Sequence, residues 1–166
     1  MARRDATGPV TLSVLDRLID RDPKNRSEIP FSRAQSLREL KLGLKRDLEW
    51  LLNTRKTIDP SPESARETVR SVYHYGFEDI SSKSVLSSRD HAELVREMES
   101  VIAIFEPRLK RARVRMERDE GSSSYRGLRF VIEGLLCMDP APEPVRFDTV
   151  LELGKGEYEI KGADLA

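Results

Sequence analysis

Apolar residues recur every three or four positions in two long segments of the chain. The first follows a capping-box pattern at 32–35 and carries a stripe of leucines at Leu37, Leu40, Leu44, Leu48 and Leu51. The second carries an apolar face from Leu94 to Phe105 and is followed by Pro107, which cannot continue a helix. The spacing therefore predicts a helix over residues 33–53 and another that is capped by Ser87 or Ser88 and ends before Pro107.

The period of the pattern changes to two after residue 109. Arginines alternate with apolar residues over 110–116, which is typical of a strand with one face in water. We expect a more buried second strand over 127–138, a third over 145–153 and a short fourth over 157–161. The pattern predicts a flexible loop at 119–126, a proline-rich break at 139–144 and a tight turn at 154–156 between them.

The remaining segments carry weaker signals. Residues 11–19 predict a short N-terminal helix, and residues 20–30, which contain two prolines, predict a linker. That helix could dock on a partner or fold back on its own domain, and the pattern does not choose between them. Residues 63–71 predict another short helix, between a turn at 59–62 and an irregular aromatic segment at 73–77.

The order of these elements indicates the fold class. Helices followed by strands are typical of an α+β fold, with the helices packed on one face of a small antiparallel sheet. We expect residues 1–31 to form an N-terminal extension with a short helix and a linker. Residues 32–166 would then form a single α+β domain.

Composition excludes several classes of function. The chain has 166 residues, of which 38% are hydrophobic and 35% charged. Its 29 Lys and Arg residues balance 29 Asp and Glu residues, so no field that would attract nucleic acid is implied. No apolar stretch approaches the roughly 18 residues of a membrane span. No apolar region follows the basic N-terminus, so we expect a cytoplasmic protein without a secretory signal peptide.

Few residues suggest catalysis or metal binding, and no cofactor is expected. His74 and His91 have no Cys or second His nearby in sequence. Cys137 is the one cysteine and lies in an apolar run, where we expect a buried, inert thiol. The segment 154–156 lacks the Ser or Thr and the helix of a phosphate-binding loop. Glu133 falls in an apolar strand, and we expect it to face outward rather than to act as a catalytic acid.

Arg111, Arg113 and Arg115 form a basic row on the first predicted strand. Acidic residues follow them directly, and no aromatic residues that would stack on bases are interleaved with them. We therefore expect a solvated strand face, or an edge that charge protects against random pairing, rather than a nucleic-acid site.

The segment 105–109 joins the last predicted helix to the first predicted strand. Phe105 and Leu109 can anchor its two ends in the core, and Pro107 stiffens it by fixing φ. Glu106 and Arg108 are then held with little conformational freedom, and a carboxylate and a guanidinium suit bidentate pairing. The two charges can brace the corner by binding each other, or they can bind a partner. The residues alone do not decide between these alternatives.

This corner and three other segments resemble the contractile-tail baseplate wedge proteins, a family that includes a T-even phage wedge subunit and TssE of the bacterial type VI secretion system. Glu106, Pro107 and Arg108 match the family's Glu-Pro-Arg signature. Tyr75-Gly76 matches its Tyr-Gly turn, and residues 15–20 match the leader of the TssE branch. The fourth match is the helix-end segment Asp47-Leu48-Glu49-Trp50-Leu51-Leu52-Asn53-Thr54-Arg55. Lys56 and residues 77–79 depart from the family pattern.

The resemblance implies a fold similar to the handshake domain of sheath subunits, and a structural role. Such a subunit would sit with TssF, TssG and TssK in a baseplate docked at the inner membrane complex. It would also offer a first layer on which the TssB–TssC sheath polymerises. The resemblance implies partner binding at Glu106, Pro107 and Arg108, with no nucleic acid and no direct membrane insertion.

Two further expectations concern the sheath and the alternative function. Sheath subunits would add strands to an exposed edge, and the candidates are the strand with Arg111, Arg113 and Arg115 and the short strand at 157–161. The family's popular label also includes lysozyme, so the alternative is a peptidoglycan-cleaving enzyme. That chemistry needs two carboxylates at a fixed separation, one with a raised pKa. No such pair stands out, and we expect a structural protein rather than an enzyme.

Overall fold

The computed structural model describes residues 10–20, 23–24, 31–58, 65–79, 88–117 and 127–163. Within these ranges the helices are α1 (Val14–Leu18), α2 (Arg33–Asn53) and α3 (Ser88–Phe105). The strands are β1 (Leu109–Glu117), β2 (Gly127–Leu136), β3 (Glu143–Glu152) and β4 (Glu157–Ala163). The predicted α+β class and the order of helices before strands are confirmed.

The four strands form one antiparallel sheet in the order β1-β2-β3-β4. Each strand pairs with its neighbour in the sequence, so β1 and β4 are the two edges. The β1–β2 register shifts between Lys110 and Arg113, and Arg111 has a φ of 54° within that irregularity. The two strands that the sequence suggested for sheath contact are therefore the edge strands, and the contact itself stays a prediction.

Alternation along the strands directs one face of the sheet to the core. In β3 every second residue is buried, namely Val145, Phe147, Thr149 and Leu151. The opposite face carries ion pairs between strands, such as Arg115 with Glu133 and Arg146 with Glu117. This is the arrangement that the two-residue period predicted.

The helices α2 and α3 cover the core face of the sheet, α2 along β4 and α3 along β1. Burial of their apolar stripes stabilises this contact. The stripe of α2 comprises Leu40, Leu44, Leu48, Leu51 and Leu52, and that of α3 comprises Leu94, Met98, Val101 and Ile102. The capping box of α2 forms as predicted, because the Ser32 hydroxyl accepts from the Gln35 N–H and the Gln35 side chain accepts from the Ser32 N–H.

Three local predictions differ from the structure. The described part of the segment at 63–71, expected to be a short helix, holds a helix of the 3-10 type, Arg66–Arg70, and a second 3-10 turn, Val72–His74, leads into the aromatic segment that follows. β2 ends at Leu136, so Cys137 lies past the strand and is exposed rather than buried. β3 begins at Glu143, inside the expected proline-rich break. Before Phe147 its single described neighbour is β2, and a strand with one open side tolerates a proline.

Several predicted segments lie outside the described residues. These are residues 1–9, most of the linker at 20–30, the turn at 59–62, the possible cap at Ser87 and the loop at 119–126. The turn at 154–156 is present, and Lys155 pairs there with Glu152 at 2.8 Å.

Candidate functional site

The end of α2 places polar side chains against the outer edge of β4. Asn53 donates from Nδ2 to the carbonyl oxygen of Tyr158 and accepts at Oδ1 from the Tyr158 N–H, both at 2.8 Å. Glu49, one turn earlier, accepts the N–H of Ile160 at 3.2 Å. An amide side chain offers a donor and an acceptor as a peptide group does, so α2 closes this edge much as a neighbouring strand would.

The chain returns to the end of α2 at Gly76. Phe77 donates its N–H to the carbonyl of Thr54 at 2.7 Å and accepts from the N–H of Lys56 at 2.9 Å. Gly76 has a φ of 119°, and a Cβ there would lie 2.4 Å from the Thr54 oxygen. Both the backbone conformation and the close approach therefore require glycine at this position.

The corner between α3 and β1 is a tight turn around Pro107. Leu109 donates its N–H to the carbonyl oxygen of Glu106 at 3.1 Å. The N–H of Cys137 donates to the backbone carbonyl oxygen of Arg108 at 2.7 Å. The Glu106 side chain is buried, whereas Pro107 is exposed. Arg108 donates from Nε and Nη2 to Oε1 and Oε2 of Glu106, at 2.6 and 2.5 Å. This bidentate pair braces the corner, and the exposed atoms there belong to Pro107 and, in part, to Arg108.

Arg108 also connects the corner to α2 and α1. Its Nη2 donates to Oδ2 of Asp47 at 2.6 Å, and Oδ1 of Asp47 accepts from Nε and Nη2 of Arg46 at 2.9 and 2.8 Å. Arg46 then donates from Nη1 to Oδ1 of Asp16 at 2.7 Å. We call this chain of alternating charges, Asp16-Arg46-Asp47-Arg108-Glu106, the corner network.

The pairing inside the corner network favours the charged forms of Asp16, Arg46 and Arg108. The hydrogen bond to Glu106 is the largest effect on Arg108, and it raises the guanidinium pKa further despite burial. Burial by itself would raise the pKa of Asp16, but hydrogen bonds from Ser13 and Arg46 outweigh it and lower that pKa. The network holds three carboxylates and two guanidinium groups, so it keeps one negative charge in excess.

Tyr75 lies beside the corner network. Its ring meets the ring of Phe105 edge-on, with the centroids 5.3 Å apart. Burial, and then the charges of Asp47 and Glu106, raise the pKa of the Tyr75 hydroxyl, so it stays protonated at neutral pH. The Tyr-Gly and Glu-Pro-Arg segments, which are distant in sequence, are therefore neighbours in the fold.

The helix α1 folds back on α2 through polar contacts, which is one of the two arrangements that the sequence left open. The Ser13 hydroxyl donates to Oδ2 of Asp16 at 2.5 Å. Asp16 faces Gly43, where an added Cβ would lie 2.7 Å from the same carboxylate oxygen. The missing side chain at Gly43 gives Asp16 the room to reach Arg46.

The arginine row of β1 is separate from the corner network. Arg113 lies 3.7 Å from Glu99 of α3, and Arg115 pairs with Glu133 of β2. Glu99 also accepts the N–H of Val114 at 2.9 Å, so it caps one backbone group on this edge of the sheet. Glu133 faces outward in an ion pair, as expected.

The described ranges offer little for catalysis or metal binding. Within them, no three His, Cys, Asp or Glu side chains are grouped so that they could hold a metal ion. None of the helices in these ranges combines the length and the apolar character that crossing a bilayer requires. Each carboxylate of the corner network binds a guanidinium, an arrangement that suits a fixed surface better than proton transfer.

Sequence reasoning identified Glu106 and Arg108 but missed the residues that bind them into a network. Asp47 begins the helix-end segment at 47–55, and Asp16 lies in the leader at 15–20. The charged residue inside each of these leucine-rich motifs was the one sequence signal that could have pointed to Asp47 and Asp16. Arg46 lies outside the matched motifs, and no sequence signal distinguishes it from the other arginines.

One of three comparisons with known proteins finds a match. The model of the family described as baseplate wedge protein gp25 matches residues 38–141. That range includes the segment 47–55, the Tyr-Gly segment and the corner at 105–109, and it leaves out α1, β3 and β4. No curated protein and no solved structure matches the chain.

Proposed function

This chain belongs to the baseplate wedge protein gp25 family, whose members are structural parts of a baseplate, and we propose that it serves as the TssE-type subunit of a type VI secretion system. In this role it joins the TssF–TssG wedge, within the assembly that also holds TssK, to the base of the TssB–TssC sheath. It then helps to start sheath polymerisation, in a cytoplasmic baseplate docked at the inner membrane complex. The observation that carries the proposal is that the four family segments meet at the corner network, three of them through its members and the Tyr-Gly segment through Tyr75 beside it.

The corner supports binding of TssF–TssG because its exposed groups are already held in place. Arg108 is fixed by Glu106 and Asp47, so it loses little conformational freedom when a partner binds. Trp50 is 54% exposed, with the guanidinium of Arg46 5.1 Å from its ring centroid. Trp and Arg are the residues that most often dominate binding energy at interfaces. We infer that the partner contacts Pro107, Arg108 and Trp50, while the buried Glu106 acts through Arg108.

The β1 edge supports strand addition by TssB–TssC better than the β4 edge does. Side chains of α2 occupy three backbone groups of Tyr158 and Ile160 on β4. In the described part of the chain, β1 has one such cap, at Val114. Met116 follows two residues later, so its N–H and C=O point to the same open side. We infer that the incoming sheath strand pairs with the second half of β1.

Replacing both charges of the corner tests its role. Glu106→Gln combined with Arg108→Gln leaves two amides, whereas Arg108→Ala alone would leave a buried carboxylate without its main partner. We expect the double variant to fold, as judged by circular dichroism and thermal melting, and to lose co-purification with TssF–TssG. The matched control, Arg89→Gln with Glu93→Gln, removes an exposed ion pair from α3 and should keep the partner. A folded corner variant that still binds TssF–TssG would contradict the proposal.

A proline on β1 tests sheath contact. Met116→Pro removes an N–H that points away from β2, and an edge strand tolerates proline at such a position. We expect sheath assembly, followed as fluorescent TssB foci in cells, to fail. Met116→Ala loses the same side chain but keeps the N–H, so it should still support assembly. Equal assembly by the two variants would argue against strand addition at β1.

The alternative function, peptidoglycan cleavage, is tested by a zymogram on the purified chain. We expect no clearing, because the carboxylates of the corner network are ion-paired and Glu133 pairs with Arg115. Clearing that persists through purification would reverse the assignment.

A further inference from the structure

The helix α1 is inverted with respect to an ordinary amphipathic surface helix. Its polar residues Ser13 and Asp16 face the body of the protein, where they meet Gly43 and Arg46. Its apolar residues face away, and none of the helix residues is buried. Val14 and Leu18 are 64% and 76% exposed, and Leu15 and Ile19 are exposed as well. A surface helix normally directs such residues to the core, and exposed apolar patches of this kind often mark interaction surfaces.

The geometry of this face fits a helix. Val14 and Leu18 form one i, i+4 pair and Leu15 and Ile19 form another, which gives two parallel ridges with a groove between them. Ridges of this spacing interdigitate with the side chains of a second helix. A strand or an irregular segment presents side chains with a different repeat.

The charge beside the ridges indicates the character of that helix. Arg17 is exposed, and it makes no ion pair with any residue in the described ranges. It lies next to Val14 and Leu18 around the helix, on the flank of the apolar face. An acidic residue beside the apolar stripe of the incoming helix would therefore pair with Arg17.

The corner network indicates which molecule supplies the helix. Asp16 holds α1 to Arg46, and Arg46 leads without a break to Asp47 and Arg108. Trp50 is exposed beside Arg46 on the same part of α2. The bonds from Asp16 to Arg46 and on to Asp47 and Arg108 thus hold α1 close to the corner that the proposed wedge partner contacts.

The size of α1 argues against a second copy of this chain as the occupant. A helix of five residues is about 7.5 Å long. A stable dimer needs roughly 800 Å² of surface from each partner, which α1 by itself does not supply. Pairing two copies through this face would also bring two Arg17 side chains to one small interface.

We propose that the wedge partner lays an amphipathic helix along Val14, Leu15, Leu18 and Ile19, with an acidic residue against Arg17. This inference rests on the proposed function, since it extends the TssF–TssG contact from the corner to α1. It adds a second contact surface, made by residues other than Glu106, Pro107 and Arg108.

The test measures binding of purified TssF–TssG complex to the full chain and its variants. Leu18→Glu places a charge in the apolar face, and Arg17→Glu reverses the flanking charge. We expect Leu18→Glu to weaken binding at least about tenfold, the size of effect that one well-buried leucine has at an interface. Arg17→Glu should weaken it less, and that loss should shrink as salt is raised. Ile58→Glu is the matched control, because Ile58 is apolar and 95% exposed outside α1.

The outcomes separate this inference from the proposed function. If wild type and Leu18→Glu bind equally while the double corner variant does not, the α1 contact is overturned and the wedge role stands. If wild type does not bind TssF–TssG, the wedge role falls and the α1 contact falls with it. A photo-crosslinker at position 18 should label a partner peptide with apolar residues every three or four positions. Crosslinks to a second copy of the chain would overturn the inference.

Discussion

The two edges of the sheet are closed to different degrees. At β4, Asn53 and Glu49 of α2 occupy three backbone groups of Tyr158 and Ile160. At β1, the described residues occupy one such group, the N–H of Val114, which Glu99 of α3 accepts. An edge whose groups are satisfied must lose those bonds before another strand can pair with it, whereas a partly open edge need not. We therefore expect the strand pairing with other subunits that we propose to take place at β1.

The contrast also shows why two helices with similar apolar stripes carry different polar residues. The polar residues Glu49 and Asn53 of α2 face β4, and Asp47 reaches Arg108. The helix α3 instead ends directly at the corner around Pro107 and feeds the chain into β1. The helix α2 therefore occupies backbone groups of β4, whereas α3 leads into β1, the edge that is less covered by the described residues.

The largest expected effect is at Gly76, because the chain there holds the end of α2 through the hydrogen bonds that Phe77 makes with Thr54 and Lys56. Gly76→Ala adds a Cβ 2.4 Å from the Thr54 oxygen at a φ of 119°. We expect a loss of about 3 kcal/mol in the free energy of unfolding, measured with urea. Gly154→Ala is the control, since nothing lies within 4 Å of its added Cβ. A tolerated Gly76→Ala would show that the closed edge does not depend on this junction.

Asn53→Ala removes two of the three side-chain hydrogen bonds that α2 makes to the β4 backbone. It leaves the N–H and C=O of Tyr158 without their side-chain partner, so we expect a loss of about 1–2 kcal/mol. Hydrogen exchange at the Tyr158 amide should accelerate by more than the global loss of stability accounts for. Exchange that stays slow in the variant would mean that Asn53 is not what closes the edge.

Glu99→Ala opens β1 further, and the expected change in stability is smaller, about 0.5–1 kcal/mol. Its larger consequence should be on pairing, because the freed N–H of Val114 becomes available to an incoming strand. Light scattering should therefore show more self-association than for Asn53→Ala at equal concentration. Stronger self-association of Asn53→Ala than of Glu99→Ala would mean that β4, rather than β1, is the edge that pairs with other strands.

The smallest expected effect is at the Tyr158 side chain. Its hydroxyl is buried and has no hydrogen-bond partner among the described residues, although the Tyr158 backbone bonds to Asn53. Tyr158→Phe should therefore raise the free energy of unfolding by about 0.5 kcal/mol, as judged by thermal melting, because it removes an unsatisfied polar group. A decrease of about 1 kcal/mol or more in the free energy of unfolding would instead show that the hydroxyl makes a stabilising hydrogen bond at this edge.

The helices and most strands follow from local patterns in the sequence. α2 occupies Arg33–Asn53 as its leucine spacing and capping box predict, because both signals act within a few residues. The end of β2 and the start of β3 differ from prediction. Cys137 and Pro144 illustrate the reason: the limits of a strand depend on where its neighbour pairs, and apolar character alone does not report this.

The site was partly predictable. The corner at Glu106–Arg108 stands out because a rigid proline separates two opposite charges, and the sequence left its internal and external roles open. The structure shows the internal one, with Arg108 bonded to Glu106 and to Asp47, 61 residues away in the chain. Such long-range pairs have no local pattern, so Asp47 and Arg46 were not identified.

By itself, the sequence determined the order of the elements, the apolar face of each long helix and the stiffness of the corner, because periodicity and proline act on near neighbours. Tertiary structure alone decided which charges meet, which edge of the sheet remains open and which face of α1 is left outside. Those outcomes depend on the positions that α1, α2 and α3 take against one another and against the sheet. The corner network depends on those positions, because the guanidinium of Arg108 bonds both to Glu106 of the corner and to Asp47 of α2.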